Sequence, residues 1–248
     1  MIDYRDELLE RRLREISYVL LVGGGKGGVG KSLVAAVTSL LLARSGHKTG
    51  LLDLDLHGPS SIAILGVSDA PAETSEGVVP PRVEGVRVMS IDLLARGRPL
   101  PLSGSAKEEV VKEVLAVTAF GPLDYLVVDL PPGTGDELLS AAKYLRGRRG
   151  ALVVTTASPL SLSASRRSIE ILRGLGIEVL GLIENMAAAE GGSVVEKVAG
   201  DFGARFLGRI PYDGELEKLV GKSGAGRLLE TCFSAALRRA LLVAGLAL

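Results

Sequence analysis

A glycine-rich segment, GGGKGGVGKS at residues 23–32, joins an apolar run to an amphipathic one. From Gly25 to Ser32 it fits the pattern GxxxxGK[ST]. In such a loop the backbone N–H groups turn inward around a phosphate, and glycine is needed where φ is positive or where a Cβ would fill the cradle. The following helix directs the positive end of its dipole at the same anion. The segment therefore requires a strand, a loop and a helix in that order, and it predicts a phosphate site.

Short apolar runs alternate with amphipathic runs along the rest of the chain. Runs rich in Val, Leu and Ile, as in strands buried on both faces, occupy residues 17–24, 49–55, 124–132, 150–158, 178–186 and 204–212. Helical patterns occupy residues 31–46, 136–147, 162–176 and 191–203. This alternation predicts an α/β fold of three layers, in which helices flank both faces of a mostly parallel central sheet. We expect residues 1–248 to form a single domain.

The N-terminal segment is predicted to be a structural helix. Within residues 1–16 the apolar side chains share one face, which should lie against the body; they are Leu9, Leu13 and Ile16. Residues 66–105 then break the alternation with prolines and small residues. We expect them to form an insertion over the active face, with one further strand within residues 84–94.

The composition narrows the classes of function. Lysine plus arginine equals aspartate plus glutamate at 29 each, so no overall field draws the chain to nucleic acid or to an anionic membrane. One cysteine excludes an internal disulfide framework, and two histidines leave little for a metal cage made of protein ligands alone. The charged N-terminus and the lack of a bilayer-length apolar run predict a cytoplasmic protein. The absence of glutamine and the single asparagine are typical of thermophile proteins.

The glycine-rich segment carries a second lysine, Lys26, five positions before Lys31. Lys31 is expected to contact the β- and γ-phosphates, and the hydroxyl of Ser32 to ligate Mg²⁺. The motif KGGVGKS resembles the deviant Walker A signature of the MinD/ParA class of P-loop ATPases. This resemblance implies a three-layer P-loop NTPase fold and a homodimer with nucleotide at its interface, in which Lys26 reaches the partner's nucleotide; the alternative is a solvated lysine. The predicted nucleotide-binding residues of the loop are Gly25, Lys26, Gly27, Gly28, Val29, Gly30, Lys31 and Ser32.

Three aspartates end two of the predicted strands. Asp53 and Asp55 are two positions apart, so both face the same side and can approach one Mg²⁺–phosphate site. The resemblance implies that Asp55 orients the attacking water and that Asp53 supports the Mg²⁺ shell; the alternative for Asp55 is a cap on the following turn. Asp129 ends another strand as a Walker B carboxylate that holds Mg²⁺ through water. Gly133 follows in a turn whose N–H is expected to sense the γ-phosphate.

Other segments narrow the resemblance to one subgroup. The stretches DLDLHGPS and DLPPGTGDE, followed by ENM and IPYD, are most similar to the Mrp subgroup, which includes ApbC-type iron-sulfur cluster carriers. The similarity extends from about Tyr18 to about Leu229. It implies that Asn185 reads the edge of adenine, for which a carboxamide offers a donor and an acceptor, and that Pro211 lines the base. The alternative for Asn185 is a turn residue.

One expected feature of that subgroup is missing. Its members usually carry a CPxC pair in a loop after ENM, whose thiolates hold a cluster between two subunits, whereas this chain continues with AAAEGGSVVEKVAG. Clusters are held mainly by cysteine thiolates. Cys232, the single cysteine, is predicted to be a buried packing residue of the last helix. An iron-sulfur cluster is therefore not expected from the chain's own ligands, and a partner would supply most of them.

The sequence thus predicts a Mg²⁺-dependent, ATP-binding and ATP-hydrolysing dimeric switch with an unidentified protein partner or cargo. Its predicted catalytic residues are Lys26, Lys31 and Asp55. One alternative is an iron-sulfur cluster carrier or assembly scaffold that uses partner thiols. Another is a partitioning or positioning ATPase of the ParA/MinD type, which would bind DNA or membrane.

Neither nucleic acid nor membrane is the favoured partner. The segments LARGRP and YLRGRRG could contact DNA, but scattered arginines on solvated faces are common. The apolar C-terminal residues 232–248 form a predicted helix with few basic residues, so we expect it to dock on the core or at a subunit contact.

Overall fold

A mostly parallel sheet forms the centre of the structure, a computed structural model that describes residues 3–55, 58–95, 105–133, 136–188, 191–221 and 224–248. The strands are β1 (Ile16–Gly23), β2 (Thr49–Asp53), β3 (Ala72–Thr74), β4 (Gly77–Val79), β5 (Arg82–Val83), β6 (Val86–Ser90), β7 (Leu123–Asp129), β8 (Arg149–Thr155), β9 (Glu178–Ala187) and β10 (Phe206–Pro211). The α-helices are α1 (Tyr4–Arg14), α2 (Lys31–Arg44), α3 (Ser61–Leu65), α4 (Ile91–Ala95), α5 (Ser105–Val117), α6 (Asp136–Tyr144), α7 (Pro159–Gly174), α8 (Val194–Ala199), α9 (Leu216–Leu219) and α10 (Cys232–Val243).

The strand order agrees with a doubly covered α/β sheet. Among the described residues the sheet has eight strands in the order β10-β9-β8-β1-β7-β2-β6-β5. Every neighbouring pair is parallel except β5 with β6. Parallel strands joined by helical crossovers place all their carboxyl ends at one edge, where ligands bind in open α/β sheets. The predicted three-layer fold with a mostly parallel sheet is confirmed.

Alternate residues of the central strands pack into two separate cores. In β1, Leu20 and Val22 belong to one core, which α2 and α10 cover. Val19 and Leu21 belong to the other, which α5, α6 and α7 cover. These four side chains are almost fully buried. The continuous apolar runs of the sequence therefore reflect strands with helices on both faces.

The predicted N-terminal helix is present as α1. Its Leu9 is buried in the core that also holds Val111 of α5. Asp3 caps the helix by accepting a hydrogen bond from the backbone N–H of Arg5, at 3.0 Å. Lys112 of α5 also bonds the Asp3 carboxylate, at 2.8 Å, so charged groups join the two helices at their edge.

The β3–β4 hairpin of the predicted insertion lies away from the glycine-rich loop. The β3–β4 hairpin packs where α5 ends: Val78 pairs with Thr118, and its carbonyl accepts from the N–H of Ala119 at 2.8 Å. Since β7 begins shortly afterwards at Leu123, this is the amino edge of the sheet, opposite the glycine-rich loop. Residues 72–79 therefore do not lie over the active face, whereas β6 runs beside β2 to the carboxyl edge, where Ser90 pairs with Asp53. Residues 96–104 lie outside the described part of the chain, and an insertion over the active face stays a prediction.

A further strand occurs within residues 84–94, as predicted, but it is shorter. It is β6, which joins the central sheet beside β2. The chain then turns into α4 at Ile91, so the apolar residues after Ser90 are helical.

The C-terminal helix docks on the core, as predicted. The buried face of α10 includes Phe233, Leu237 and Leu241, and it packs against β10 and α2. Cys232, however, is exposed, so its predicted burial is wrong. It is the first residue of α10, and because neighbouring helix positions lie about 100° apart, it points away when Phe233 points inward. No helix among the described residues is both long enough and apolar enough to cross a membrane.

Candidate functional site

The glycine-rich loop follows β1 and leads directly into α2. Its tip, Lys26 to Gly28, is exposed, whereas Val29 is buried. Gly30 is the residue before α2 and has φ +86°, a left-handed backbone that residues with a side chain rarely adopt. The loop therefore has the curled backbone and the helix N-terminus that a phosphate requires.

The loop lies directly against α7. A Cβ placed on Gly25 would overlap the backbone of Ala164 and Ser165 in that helix. A Cβ on Gly24 would lie 2.8 Å from the carbonyl oxygen of Val154, which is also too close. Gly27 differs, because no described heavy atom lies within 4 Å of its Cβ position. Packing against α7 and β8 alone thus requires glycine at positions 24 and 25.

Lys31 and Asp129 form a buried pair beneath the loop. Lys31 begins α2, Asp129 ends β7, and Lys31 Nζ lies 3.8 Å from Asp129 Oδ1. Neither Asp129 oxygen accepts a hydrogen bond from a described residue. Burial raises the pKa of Asp129 to about 7. The charge of Lys31 and the hydroxyl of Ser32 oppose this effect, and the charge of Asp53 adds to it. Ser32, half-buried, follows Lys31. The pair combines a cation with unused carboxylate acceptors.

Asp53 is the neighbour of Asp129 across the β2–β7 pairing, and its carboxylate is engaged by backbone groups. One oxygen accepts from the N–H of Asp55 at 3.0 Å, and the other accepts from the N–H groups of Ser60 and Ser61, each at 3.0 Å. Asp53 is fully buried, and burial raises its pKa. Asp53 therefore organises the turn between β2 and α3, a role that the sequence analysis did not predict. Its place in a Mg²⁺ shell stays a prediction.

Asp55 follows β2 and is largely buried. Its Oδ1 accepts a hydrogen bond from the N–H of Gly58 at 3.1 Å. This contact fits the alternative in which Asp55 caps the following turn. The predicted role in orienting water stays a prediction. His57, two positions after Asp55 in the sequence, lies outside the described residues.

Asn185 contacts the glycine-rich loop itself. It lies near the end of β9, is 3% exposed, and its Nδ2 donates to the carbonyl oxygen of Val29 at 2.8 Å. A Cβ on Gly30 would overlap that same nitrogen. This contact is not predictable from the sequence pattern, and a role of Asn185 in reading adenine stays a prediction. Pro211, at the end of β10, pairs in register with Ala187.

Buried polar groups fix the loop that follows β9. Glu184 is 2% exposed and accepts a hydrogen bond from the hydroxyl of Ser193. Arg209 of β10 places Nε 3.4 Å from the Glu184 carboxylate and donates to the carbonyls of Ala188 and Gly191, each at 2.9 Å. This is the position at which the Mrp subgroup usually carries its CPxC loop. Here the described ends of the loop, at Ala188 and at Gly191 to Ser193, are held by an arginine and a carboxylate.

The predicted site residues meet at one edge of the sheet. The glycine-rich loop, Asp53, Asp129 and Asn185 all lie at or just beyond the carboxyl ends of strands. Gly133, after β7, has φ +93°. Within the described residues no group of three or more His, Cys, Asp or Glu side chains could hold a metal ion. Mg²⁺ needs only one or two carboxylates together with phosphates and water, and its binding here stays a prediction.

The basic segments proposed for DNA binding gain no support. Residues 96–99 of LARGRP lie outside the described residues. In YLRGRRG, the guanidinium of Arg149 donates to the carbonyls of Ala142, Leu145 and Leu175. These internal bonds give that arginine a structural role.

Comparison with known proteins identifies the family. A ParA family model, described as the NUBPL iron-transfer P-loop NTPase, matches residues 15–232. The chain belongs to this family. The resemblance to the Mrp branch of the MinD/ParA class is thereby confirmed.

Two curated relatives extend the match. The chain is 35% identical over 223 residues to an iron-sulfur cluster carrier protein of Saccharolobus solfataricus. The aligned region covers 84% of this chain and 75% of that protein. It is 36% identical over 239 residues to a cytosolic Fe-S cluster assembly factor NUBP2 homolog of Trichoplax adhaerens, covering 88% of this chain and 90% of the relative.

Two solved structures are similar in fold. A nucleotide-binding protein from Archaeoglobus fulgidus, solved in complex with ADP, aligns with a TM-score of 0.76 at 33% identity over 87% of this chain and 90% of that one. The cell division ATPase MinD of Pyrococcus furiosus aligns with a TM-score of 0.69 at 20% identity over 92% of this chain and 98% of that one. The second similarity shows the fold alone.

Proposed function

We propose that the chain binds ATP with Mg²⁺ at the glycine-rich loop and hydrolyses it slowly as a homodimeric switch. The observation that carries the proposal is the buried pair beneath the loop, with Lys31 Nζ 3.8 Å from Asp129 Oδ1. A buried ammonium beside a carboxylate with unused acceptors fits phosphates that arrive with a divalent cation. Membership of a P-loop NTPase family and the ADP of the related Archaeoglobus fulgidus structure support a nucleotide as ligand.

Each residue's proposed part follows from its position. The backbone N–H groups of residues 25–30 wrap the phosphates, and Lys31 neutralises the β- and γ-phosphate charge. Ser32 and Asp129 would hold Mg²⁺, with Asp53 in support; when bound, Mg²⁺ offsets the negative charge that develops during phosphoryl transfer. Asp55 would orient the attacking water.

Lys26 is the residue that would make hydrolysis depend on dimerisation. It is exposed at the tip of the loop, where it can reach a second subunit. A cation supplied in trans stabilises transition-state charge as an arginine finger does, which is worth roughly 10³- to 10⁵-fold in rate. The N–H of Gly133 would report whether the γ-phosphate is present.

Two lysine variants and one control test this function. Lys31→Ala should abolish ATP binding, because the buried cation is lost. Lys26→Ala should bind ATP almost as wild type does and lose hydrolysis by roughly 10³-fold or more. Lys197→Ala removes another exposed lysine, on α8, and should change neither ATP binding nor hydrolysis.

Binding of ATP is measured calorimetrically with Mg²⁺, and dimerisation is measured by sedimentation with ATP. Normal hydrolysis by Lys26→Ala would exclude the role in trans, and a wild-type protein that binds no ATP would exclude the whole proposal.

We propose, as a second function, that this switch takes part in iron-sulfur cluster assembly with thiols from a partner. The iron-transfer description of the family and the names of the relatives favour it. Cys232 is the single cysteine, so a homodimer offers two thiolates, fewer than the four that most clusters use. The remaining ligands must come from another molecule.

Anaerobic reconstitution tests the second function. Wild type and Cys232→Ser are each incubated with iron and sulfide, desalted, and examined by visible absorption and iron counting. We expect neither to retain a stable cluster alone, and a cluster to be held only when a thiol-bearing partner is present. A cluster retained stoichiometrically by the wild-type homodimer alone would contradict the requirement for partner thiols.

A further inference from the structure

We propose that Asn185 is a positioning residue for the phosphates, because it holds the glycine-rich loop in its binding conformation. This inference rests on the proposed function, since it concerns the same loop. It assigns Asn185 a role that does not depend on the base of the nucleotide.

The hydrogen bond from Asn185 satisfies a buried carbonyl group of the glycine-rich loop, that of Val29. A loop that turns its N–H groups toward an anion must turn its carbonyl groups away, and each buried carbonyl then needs a donor elsewhere. The carbonyl of Val29 finds that donor in Asn185 Nδ2, at 2.8 Å. Both residues are only 3% exposed, so water is a poor substitute. Without Asn185 this carbonyl can regain a partner only if the loop rotates, which would disturb the N–H cradle.

Gly30 shows how closely Asn185 approaches the loop. A Cβ at Gly30 would overlap Asn185 Nδ2, so the carboxamide occupies the space that a side chain would need. Gly30 also precedes α2, whose first residue is Lys31. Asn185 therefore supports the loop at the point where its backbone becomes the helix that carries the phosphate-binding lysine.

The chain on either side of Asn185 is itself held in place. Glu184, the preceding residue, is fixed by the hydroxyl of Ser193 and by Arg209. Met186, the following residue, has φ +55°, a left-handed conformation that is uncommon for a long side chain. A fixed preceding residue and a left-handed following residue, both within β9, leave the carboxamide little freedom, as a positioning residue requires.

Inorganic tripolyphosphate has no base, so its binding separates a role of Asn185 in positioning the loop from a role in recognising adenine. Calorimetry with Mg²⁺ compares ATP and inorganic tripolyphosphate on wild type, Asn185→Ala and Asn185→Leu. The leucine variant retains bulk without a donor and so separates the hydrogen bond from the cavity. Thr231→Ala removes the cap of α10, where Oγ1 accepts from the Ser234 N–H, and so controls for a general loss of stability. Hydrogen exchange of the amides of residues 29–31 is measured without ligand.

We expect both Asn185 variants to bind ATP and tripolyphosphate about tenfold more weakly or worse, by a similar factor for the two ligands. Amide exchange at residues 29–31 should be faster in both variants and unchanged in Thr231→Ala. Loss of ATP affinity with unchanged tripolyphosphate affinity and unchanged exchange would overturn the inference and assign Asn185 to the base. If wild type binds neither ligand, the proposed function is wrong and this inference fails with it.

Discussion

Lys31 Nζ lies 3.8 Å from Asp129 Oδ1, and the two charged side chains are 6% and 0% exposed. A buried carboxylate that accepts no hydrogen bond from the described residues is costly, and its raised pKa expresses that cost. Lys31 offsets only part of it. The pair is thus arranged for a ligand rather than for the stability of the free protein.

Asp129→Asn should therefore change stability and binding in opposite directions. Without nucleotide and with a chelator present, the variant should gain roughly 1 to 3 kcal/mol in unfolding free energy at pH 8, because a buried charge becomes a neutral amide. Stabilisation by ATP with Mg²⁺ should be lost. Urea unfolding with and without ligand measures both effects.

Asp124→Asn is the matched control, because Asp124 lies on the same strand at its other end. That carboxylate is half-buried and accepts from the backbone N–H of Lys48 at 2.8 Å. Its replacement should bring no gain in stability and should leave ATP binding intact. A variant Asp129→Asn that is less stable than wild type without ligand would show that Asp129 helps to hold the fold.

Two glycines of the loop should differ in their response to alanine. Gly25→Ala places a methyl group on the backbone of Ala164 and Ser165, which cannot move aside as a flexible side chain could. It should lower the free energy of unfolding by about 1 to 3 kcal/mol or more, as overpacking does, and abolish ATP binding. Gly27→Ala meets no described atom within 4 Å and should change the stability of the free protein by about 0.5 kcal/mol or less. Equal losses in both variants would show that α7 does not constrain the loop.

The sequence alone was sufficient for the parts of the site that depend on local pattern. The spacing of the glycine-rich motif placed its loop between β1 and α2, and the apolar run before Asp129 placed that carboxylate at a strand end. In both cases the residues that decide the structure are neighbours in the chain. Such signals depend on helix and strand periodicity, which a single sequence displays.

Contacts between residues far apart in the sequence cannot be predicted from local pattern. Asn185 and Val29 are 156 positions apart, and only the order of the strands brings β9 to the loop. The exposure of Cys232 depends on which face of α10 meets β10 and α2. The helix α5, by contrast, is absent from the predicted helices but carries a local signal, because Val111, Val114 and Leu115 repeat at helical spacing.

The role of Asp53 in organising the turn between β2 and α3 can be tested by substitution. Asp53→Ala removes the acceptor for the N–H groups of Asp55, Ser60 and Ser61, so these three amides should exchange faster with solvent. We expect a loss of about 1 to 3 kcal/mol in unfolding free energy, because relief of the buried charge offsets part of the lost bonding. The exposed Asp69 serves as control, and Asp69→Ala should change stability by about 0.5 kcal/mol or less. Unchanged exchange at the three amides in Asp53→Ala would contradict the organising role.

Asp3 should make the junction between α1 and α5 sensitive to acid. The side chains of Arg5 and Lys112 bond its carboxylate at 2.7 and 2.8 Å and hold its pKa well below the usual value. Because the pKa in the folded state is the lower one, the stabilisation is fully present above the unfolded pKa of about 3.9 and is lost as pH falls through the folded pKa. Asp3→Asn keeps a good helix cap and removes only the charge. Its urea midpoint should lie below that of wild type at pH 7, and the gap should narrow steadily from pH 5 to pH 2. Asp69→Asn should follow wild type at every pH, and a gap for Asp3→Asn that stays constant across this range would show that the charge of Asp3 does not stabilise the junction.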